Sequence, residues 1–203
     1  MLLPLVAIVL SGAQVAQDSP VGLYDGGGFE MAAGLELTAD GRFRYALSVG
    51  SYDEEASGRW RSADGRLLLT SDPVTPPVIA LVSQATGTRG KLDIAFEGPR
   101  GIDPQYFELR LTGDEAREVQ LEGAQTRIDL PAGRPLRVSL ALGLYDVESA
   151  VVEVDPARGA RLAFRFTAND LGKVAFDDAE LVRDGDLLTL DRKGGTMRFR
   201  RVK

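Results

Sequence analysis

Apolar and polar residues alternate along most of this chain with a period of two. The alternation is clearest in 35–39 and 43–47, which flank Asp40-Gly41. Alternating residues point to opposite faces of a β-strand, and an Asp-Gly pair between two such runs is a strong signal for a tight hairpin turn. These residues therefore predict an antiparallel hairpin with one buried and one exposed face.

The same pattern continues to the end of the chain and predicts an all-β protein. A second hairpin is expected where 57–61 and 66–70 flank Asp64-Gly65, and Asp184-Gly185 marks a third turn. Further strands are predicted in a middle block at 92–96, 107–111, 119–121, 128–130 and 136–142, and in a last block at 151–154, 161–167, 173–176, 180–183, 186–190 and 196–202.

Two features indicate how these strands are grouped. Residues 72–77 are rich in proline, which is typical of a linker or domain boundary. The segments 35–45 and 58–69 resemble 164–176 and 179–190, respectively. The first and last blocks are therefore predicted to be two half-repeats of one meander, with the middle block inserted between them. Joining the two halves would remove the free edges of their sheets.

Two stretches of sequence resemble known families. The run LELTADGRFRYALSVGSYDEEASGRWRSADGRLLLTSD (35–72) is similar to the hairpins of small lipocalin-like periplasmic proteins. The run QTRIDLPAGRPLRVSLALGLYDVES (125–149) resembles the end of a transthyretin-like or carboxypeptidase-regulatory-like sandwich. As a whole, the chain resembles uncharacterised exported proteobacterial proteins that join these two pieces.

Together, pattern and resemblance imply an all-β fold with a split lipocalin-like meander barrel and an inserted small β-sandwich. We expect the barrel at 22–74 and 149–203, and a transthyretin-like insert at 75–148.

The first residues are typical of a secretory signal peptide. Leu2 to Leu10 form a short apolar run, and Ser11-Gly12-Ala13 provides the small residues that a signal peptidase requires. We expect a signal peptide at 1–13, with cleavage after Ala16 as the alternative, and a flexible leader at 14–21. The predicted location is the periplasm or the outside of the cell. No segment is expected to span a membrane, because the apolar run is shorter than the roughly 20 residues that a helix needs.

Composition excludes several classes of function. The chain has no cysteine and no histidine, so it lacks thiolate chemistry, the commonest metal ligand and the usual general base. A Ser-His-Asp triad and an HExxH zinc site are therefore excluded. The formal net charge of −6 argues against nucleic-acid binding. We expect no catalytic residue, no cofactor and no metal.

Acidic clusters are interpreted as turns and loops. Tyr52-Asp53-Glu54-Glu55 could supply oxygen ligands to Ca²⁺, but is predicted to be a solvated loop between strands. Asp177-Asp178 could contribute to a glycosidase dyad, or could simply cap the end of a strand. Asp184-Gly185-Asp186 lacks the spacing of an EF-hand and is explained by a hairpin turn.

Two sets of side chains are candidates for binding. Several aromatic residues fall on one face of their strands and are expected either to fill a core or to line an apolar cavity. These residues are Phe43, Tyr45, Trp60, Phe164, Phe166, Phe176 and Phe199. Four arginines form outward rows that are expected either to defend an edge strand or to bind anions. These residues are Arg161, Arg165, Arg198 and Arg200.

Three functions remain open at this point. The first is a non-enzymatic binding or interaction protein, whose partner is an apolar small molecule or an envelope component. The second is a glycan-acting enzyme that uses carboxylates alone, and the third is a structural module of the cell envelope. They differ in whether the barrel holds a cavity, whether two acids face each other across a cleft, and whether the interior is filled.

Overall fold

The computed structural model describes residues 19–192 and 195–203. It is 60% strand and 3% helix, which confirms the all-β prediction. The strands are β1 (Gly22–Asp25), β2 (Met31–Leu37), β3 (Arg42–Val49), β4 (Tyr52–Ala63), β5 (Arg66–Ser71), β6 (Val78–Thr86), β7 (Lys91–Glu97), β8 (Glu108–Thr112), β9 (Ala116–Gln120), β10 (Gln125–Asp129), β11 (Leu136–Leu142), β12 (Val147–Glu148), β13 (Val152–Val154), β14 (Ala160–Thr167), β15 (Ala179–Asp184), β16 (Leu187–Arg192) and β17 (Gly195–Arg201). Two short 3₁₀ helices lie at Pro104–Tyr106 and Gly143–Tyr145.

Eight antiparallel strands close into a barrel in the order β1-β17-β16-β15-β5-β4-β3-β2. The predicted Asp-Gly hairpins supply three of its turns, at Asp40-Gly41, Asp64-Gly65 and Asp184-Gly185. The barrel closes where Tyr24 of β1 pairs with Arg201 of β17. Closure leaves no free edge, and the architecture is compatible with a lipocalin-like barrel.

Side chains fill the barrel interior. Apolar residues from all eight strands form one buried cluster, which includes Tyr24, Leu35, Phe43, Leu69, Leu188, Leu190 and Phe199. Phe176, which precedes β15, is also buried in this cluster, with its ring centroid 5.9 Å from that of Phe43 and 5.4 Å from that of Tyr45. Small eight-stranded barrels are just wide enough for side chains to fill them.

The remaining strands form two further sheets that share a second core. One sheet has the order β10-β7-β14-β6, and the other has the order β12-β11-β8-β9, with β13 also paired to β11. Buried apolar residues of both sheets belong to a single cluster. Phe107, just before β8, packs against Phe96 of one sheet at a centroid distance of 4.5 Å, so the two sheets pack face to face as a sandwich.

The structure differs from the predicted boundaries after residue 148. Strands β13 and β14 pair within the sandwich sheets, whereas the sequence places 149–167 in the barrel. The barrel takes five strands from before the sandwich and three from after it, so the two halves are unequal. The segment 173–176 is not a strand, and 164–176 does not form the hairpin that its likeness to 35–45 suggests.

Two connecting segments join the sandwich to the barrel and lie side by side. The backbone N–H of Asp170 donates to the carbonyl of Thr75 at 3.1 Å, and the side chain of Asn169 donates to the carbonyl of Pro76 at 2.8 Å. The predicted signal peptide and most of the predicted leader lie outside the described residues. Ser19 and Val21, the last part of that leader, accept hydrogen bonds from the Arg201 guanidinium through their carbonyls.

Candidate functional site

One end of the barrel faces the sandwich, and we call it the insert end. It is formed by the β1–β2 loop (26–30), the β3–β4 turn and the segment 168–178, which returns from the sandwich. Gly172 adopts φ +84 and lies so close to β4 that an added Cβ would come within 3.2 Å of the Asp53 carbonyl. The return segment therefore packs directly on β4, where the N–H of Glu55 donates to the Gly172 carbonyl at 2.8 Å.

A buried ion pair lies inside the barrel at the insert end. The side chain of Glu54 is 3% exposed and that of Arg192 is 17% exposed. The Arg192 guanidinium donates to Glu54 Oε2 at 2.9 Å and also contacts Oε1. The hydroxyl of Tyr45 donates to Oε1 at 2.8 Å, and that of Tyr52 donates to Oε2 at 2.6 Å. We call these four residues the Glu54 cluster.

The surroundings of the cluster hold its charges in place. Arg192 also donates to the Tyr45 hydroxyl at 2.6 Å and lies over the rings of Tyr45 and Phe176, with its Cζ atom 5.3 and 5.6 Å from their centroids. Burial raises the pKa of Tyr45 above its usual value, and the nearby Arg192 charge opposes that shift. Both carboxylate oxygens of Glu54 are therefore occupied, as a buried charge requires.

The sequence-based interpretation of 52–55 as a solvated loop is wrong. These residues begin β4, where the alternating geometry directs Glu54 into the barrel and Asp53 and Glu55 to its outer face. The acidic run obscured this alternation, because a charged residue stands at an inward position. The sequence nevertheless indicates the position of Glu54, because Glu54, Ala56 and Gly58 are alternate residues and so lie on the same face of the strand.

An open groove of about 760 Å³ lies between the insert end of the barrel and the sandwich. Its floor is made of small residues on the outer face of the barrel, where Gly34 pairs with Ala46 and Ala32 pairs with Ser48. Tyr145 and Leu171 form a wall on the sandwich side. The ring of Tyr145 also packs against Tyr52, with centroids 5.4 Å apart, so the wall contacts the Glu54 cluster.

Among the described residues, those that line the groove include four carboxylates and no lysine or arginine. Glu54 is paired with Arg192, and the positive charge of Lys173 lies near Glu55. The other two acids are hydrogen-bonded by neutral groups. The Ser48 hydroxyl donates to Asp53 at 2.5 Å, and the N–H of Gly27 donates to Asp25 at 3.0 Å. The groove is thus a negatively charged surface.

The predicted aromatic set is divided between the two cores. Phe43, Tyr45, Phe176 and Phe199 are buried in the barrel core, and Trp60 is half-buried against it. Phe164 and Phe166 lie instead in the sandwich core, because β14 belongs to that body. The four barrel aromatics pack ring against ring, with Tyr45 and Phe199 centroids 6.2 Å apart, so the structure brings together only part of the predicted lining.

The four predicted arginines are also divided between the sandwich and the barrel. Arg161 and Arg165 lie on β14 of the sandwich, and Arg198 and Arg200 lie on β17 of the barrel. All four are exposed. Arg165 forms an ion pair with Glu97 at 3.0 Å, and Arg161 donates to the Thr86 carbonyl at 3.3 Å. β17 is not an edge strand, because it pairs with β16 and with β1.

The other acidic candidates have ordinary structural partners. Hydrogen bonds from the Thr70 hydroxyl and the Arg61 guanidinium lower the pKa of the Asp178 carboxyl, which favours its ionised form. Asp184 and Gly185 form the β15–β16 turn. Within residues 19–192 and 195–203, no group of three acidic side chains is arranged to hold a metal ion.

Comparisons add no relative from which a function could be transferred. Searches with protein-family models, curated proteins and solved structures give no match. Across the described residues, the helices are all too short or too polar to cross a bilayer.

Proposed function

We propose that this chain is an exported, non-enzymatic binding protein, and that its ligand occupies the groove between the barrel and the sandwich. The single observation that carries the proposal is the groove itself. It lies where two bodies meet, which is a preferred place for ligand sites. The signal-like sequence at 1–13 supports location in the periplasm or outside the cell.

The geometry favours the groove over the barrel interior as the binding site. The interior is occupied by Phe43, Phe176 and Phe199, and the Glu54 cluster lies across its insert end. An apolar ligand of the lipocalin kind would have to displace these side chains. The groove needs no such rearrangement, because its floor of glycine and alanine is open to solvent.

The charge of the groove specifies the class of ligand. Asp25 and Asp53 have neutral hydrogen-bond partners, so they attract positive charge. The alanine and glycine floor accommodates a flat or extended body, and Tyr145 offers an aromatic wall. We therefore expect a small molecule with a cationic group, bound less tightly as salt screens the acids.

Native mass spectrometry of protein purified from its own host tests this proposal. Ala46→Trp would cover the floor of the groove, where the alanine is exposed, and should abolish the bound mass seen with the wild-type chain. Thr189→Trp, on the outer face of β16, is the matched control and should retain it. A wild-type chain that carries no ligand, or a ligand that survives Ala46→Trp, would refute the proposal.

A second candidate function is favoured by the filled barrel. A structural module of the envelope needs rigid cores and no ligand site, and two tightly filled cores meet that need. The same mass spectra separate the two functions, because a structural module predicts the unliganded mass for all three proteins.

A further inference from the structure

The sandwich has one long edge strand without any charged residue. β6 is the terminal strand of its sheet, and within the described part of the chain it pairs only with β14. Its nine residues, VIALVSQAT, contain neither acid nor base. An edge strand presents a row of backbone N–H and C=O groups that another strand can pair with, and charged side chains are the usual protection against this.

The other edges of the sandwich carry such charges. The opposite edge of the same sheet is β10, with Arg127 and Asp129. In the facing sheet, β9 carries Arg117 and Glu118. At the other side of that sheet, β12 ends in Glu148, and β13 carries Glu153 in its centre. Residues 78–167 are all described, so β6 is the uncharged exception among the edges of this sandwich.

Exposed apolar side chains accompany the uncharged edge. Val78 and Val82 of β6 are exposed, the latter by 51%. Val151, between β12 and β13, is also exposed. β12 of the facing sheet approaches β6, and the Gln84 side chain donates to the Glu153 carbonyl at 3.2 Å. Val151 and the β6 valines thus belong to the same side of the sandwich.

We infer that β6 pairs with β6 of a second copy of this chain, antiparallel and about a two-fold axis. The net charge of −6 opposes the approach of two copies, and an edge that bears Glu118 or Asp129 would add like-charge contacts. The strand β6 itself brings no charge into such a pairing, and Glu153 lies beside it on the facing sheet. A two-fold axis makes one patch complementary to itself.

The pairing joins two four-stranded sheets into one of eight strands. The order across the axis is β10-β7-β14-β6 followed by the same strands of the partner in reverse. A β-bulge at Val82, between Leu81 and Ser83, bends the strand and leaves one regular run on each side. The bulge is the one feature of β6 that would disfavour pairing with another strand, and it introduces no charge.

Sedimentation velocity over a concentration series tests the inference with the full mature chain. The wild-type chain should show a monomer–dimer equilibrium. Ser83→Lys places like charges in the interface and should raise the dimer dissociation constant by roughly tenfold. Ala116→Lys, an equivalent change at the exposed edge strand β9, should leave that constant unchanged. A monomer at every concentration, or equal effects of the two lysines, would overturn the inference.

Cysteine cross-linking provides a second readout that does not depend on a charged variant. The natural chain has no cysteine, so each single-cysteine variant contains one reactive thiol. Val82→Cys and Ser83→Cys lie at the middle of β6, near the axis, and should form disulfide-linked dimers under mild oxidation. Ala116→Cys is the matched control and should remain monomeric. Cross-linking no faster at β6 than at Ala116 would also overturn the inference.

Discussion

Replacement of Arg192 by methionine should strongly destabilise the barrel. Methionine keeps the apolar contact with Tyr45 and Phe176 but removes the charge that balances Glu54, whose side chain is 3% exposed. Breaking a buried ion pair in this way costs about 3–5 kcal/mol, because an uncompensated charge is left behind. Arg192 is partly exposed and Glu54 keeps two tyrosine hydroxyls, so we expect a value near the lower limit, about 3 kcal/mol.

The assay is urea unfolding followed by tryptophan fluorescence. Trp60 is the sole tryptophan of the chain, and its indole N–H donates to the Thr38 carbonyl at 2.9 Å within the barrel. A loss of about 3 kcal/mol corresponds to a fall in Tm of about 6–12 °C for a chain of this size. Arg198→Met, which changes an exposed arginine on the adjacent strand, is the matched control and should alter stability by less than about 0.5 kcal/mol.

A double-mutant cycle decides whether the ion pair is responsible. Glu54→Gln removes the buried charge, so Arg192→Met should cost much less in that background, with a coupling energy of about 2 kcal/mol. The reasoning would be refuted if the two changes were additive. It would equally be refuted if Arg192→Met matched Arg198→Met in unfolding free energy.

Two further predictions concern the same core. Phe176→Ala should lower the unfolding free energy reported by Trp60 by about 3–5 kcal/mol, because its ring is buried in the barrel core. Phe29→Ala changes a ring that is 94% exposed and should have little effect, so similar losses for both variants would contradict this packing. The pKa of Tyr45 is raised in the folded protein, whereas in the unfolded chain it is near 10. The unfolded chain therefore loses the tyrosine proton first, and the free energy of unfolding of the barrel should fall as the pH rises above about 10. The slope of urea midpoint against pH should be smaller in Tyr45→Phe, and an unchanged slope would contradict the assignment.

Local patterns in the sequence predict the barrel hairpins well. At Asp64-Gly65, both residues adopt positive φ, of 51 and 78, as a two-residue turn between twisted strands requires. The parity of Phe43 and Tyr45 also correctly places both in a core. Such information is local, because the alternation and the turn chemistry lie within a few residues.

Features that depend on distant contacts could not be predicted in this way. The alternation of apolar and polar residues shows that Phe164 points inward, but it does not show which of the two cores Phe164 enters. The hydrophobic pattern does not predict β6, because apolar and polar residues do not alternate along it. Apolar residues run together before the bulge at Val82, and small or polar residues follow. Glu54 and Arg192 are separated by 138 positions, and nothing near either residue identifies the other.

The antiparallel pairing of Val78 with Thr167 brings the two ends of the sandwich together. All strands of the sandwich are contiguous in sequence, so it can form before the rest of the chain is in place. Once formed, it holds the chain before β6 and the chain after β14 close together, which greatly reduces the entropy lost when β5 meets β15. In the barrel, β5 and β15 are thereby joined by a connection that behaves as a short loop.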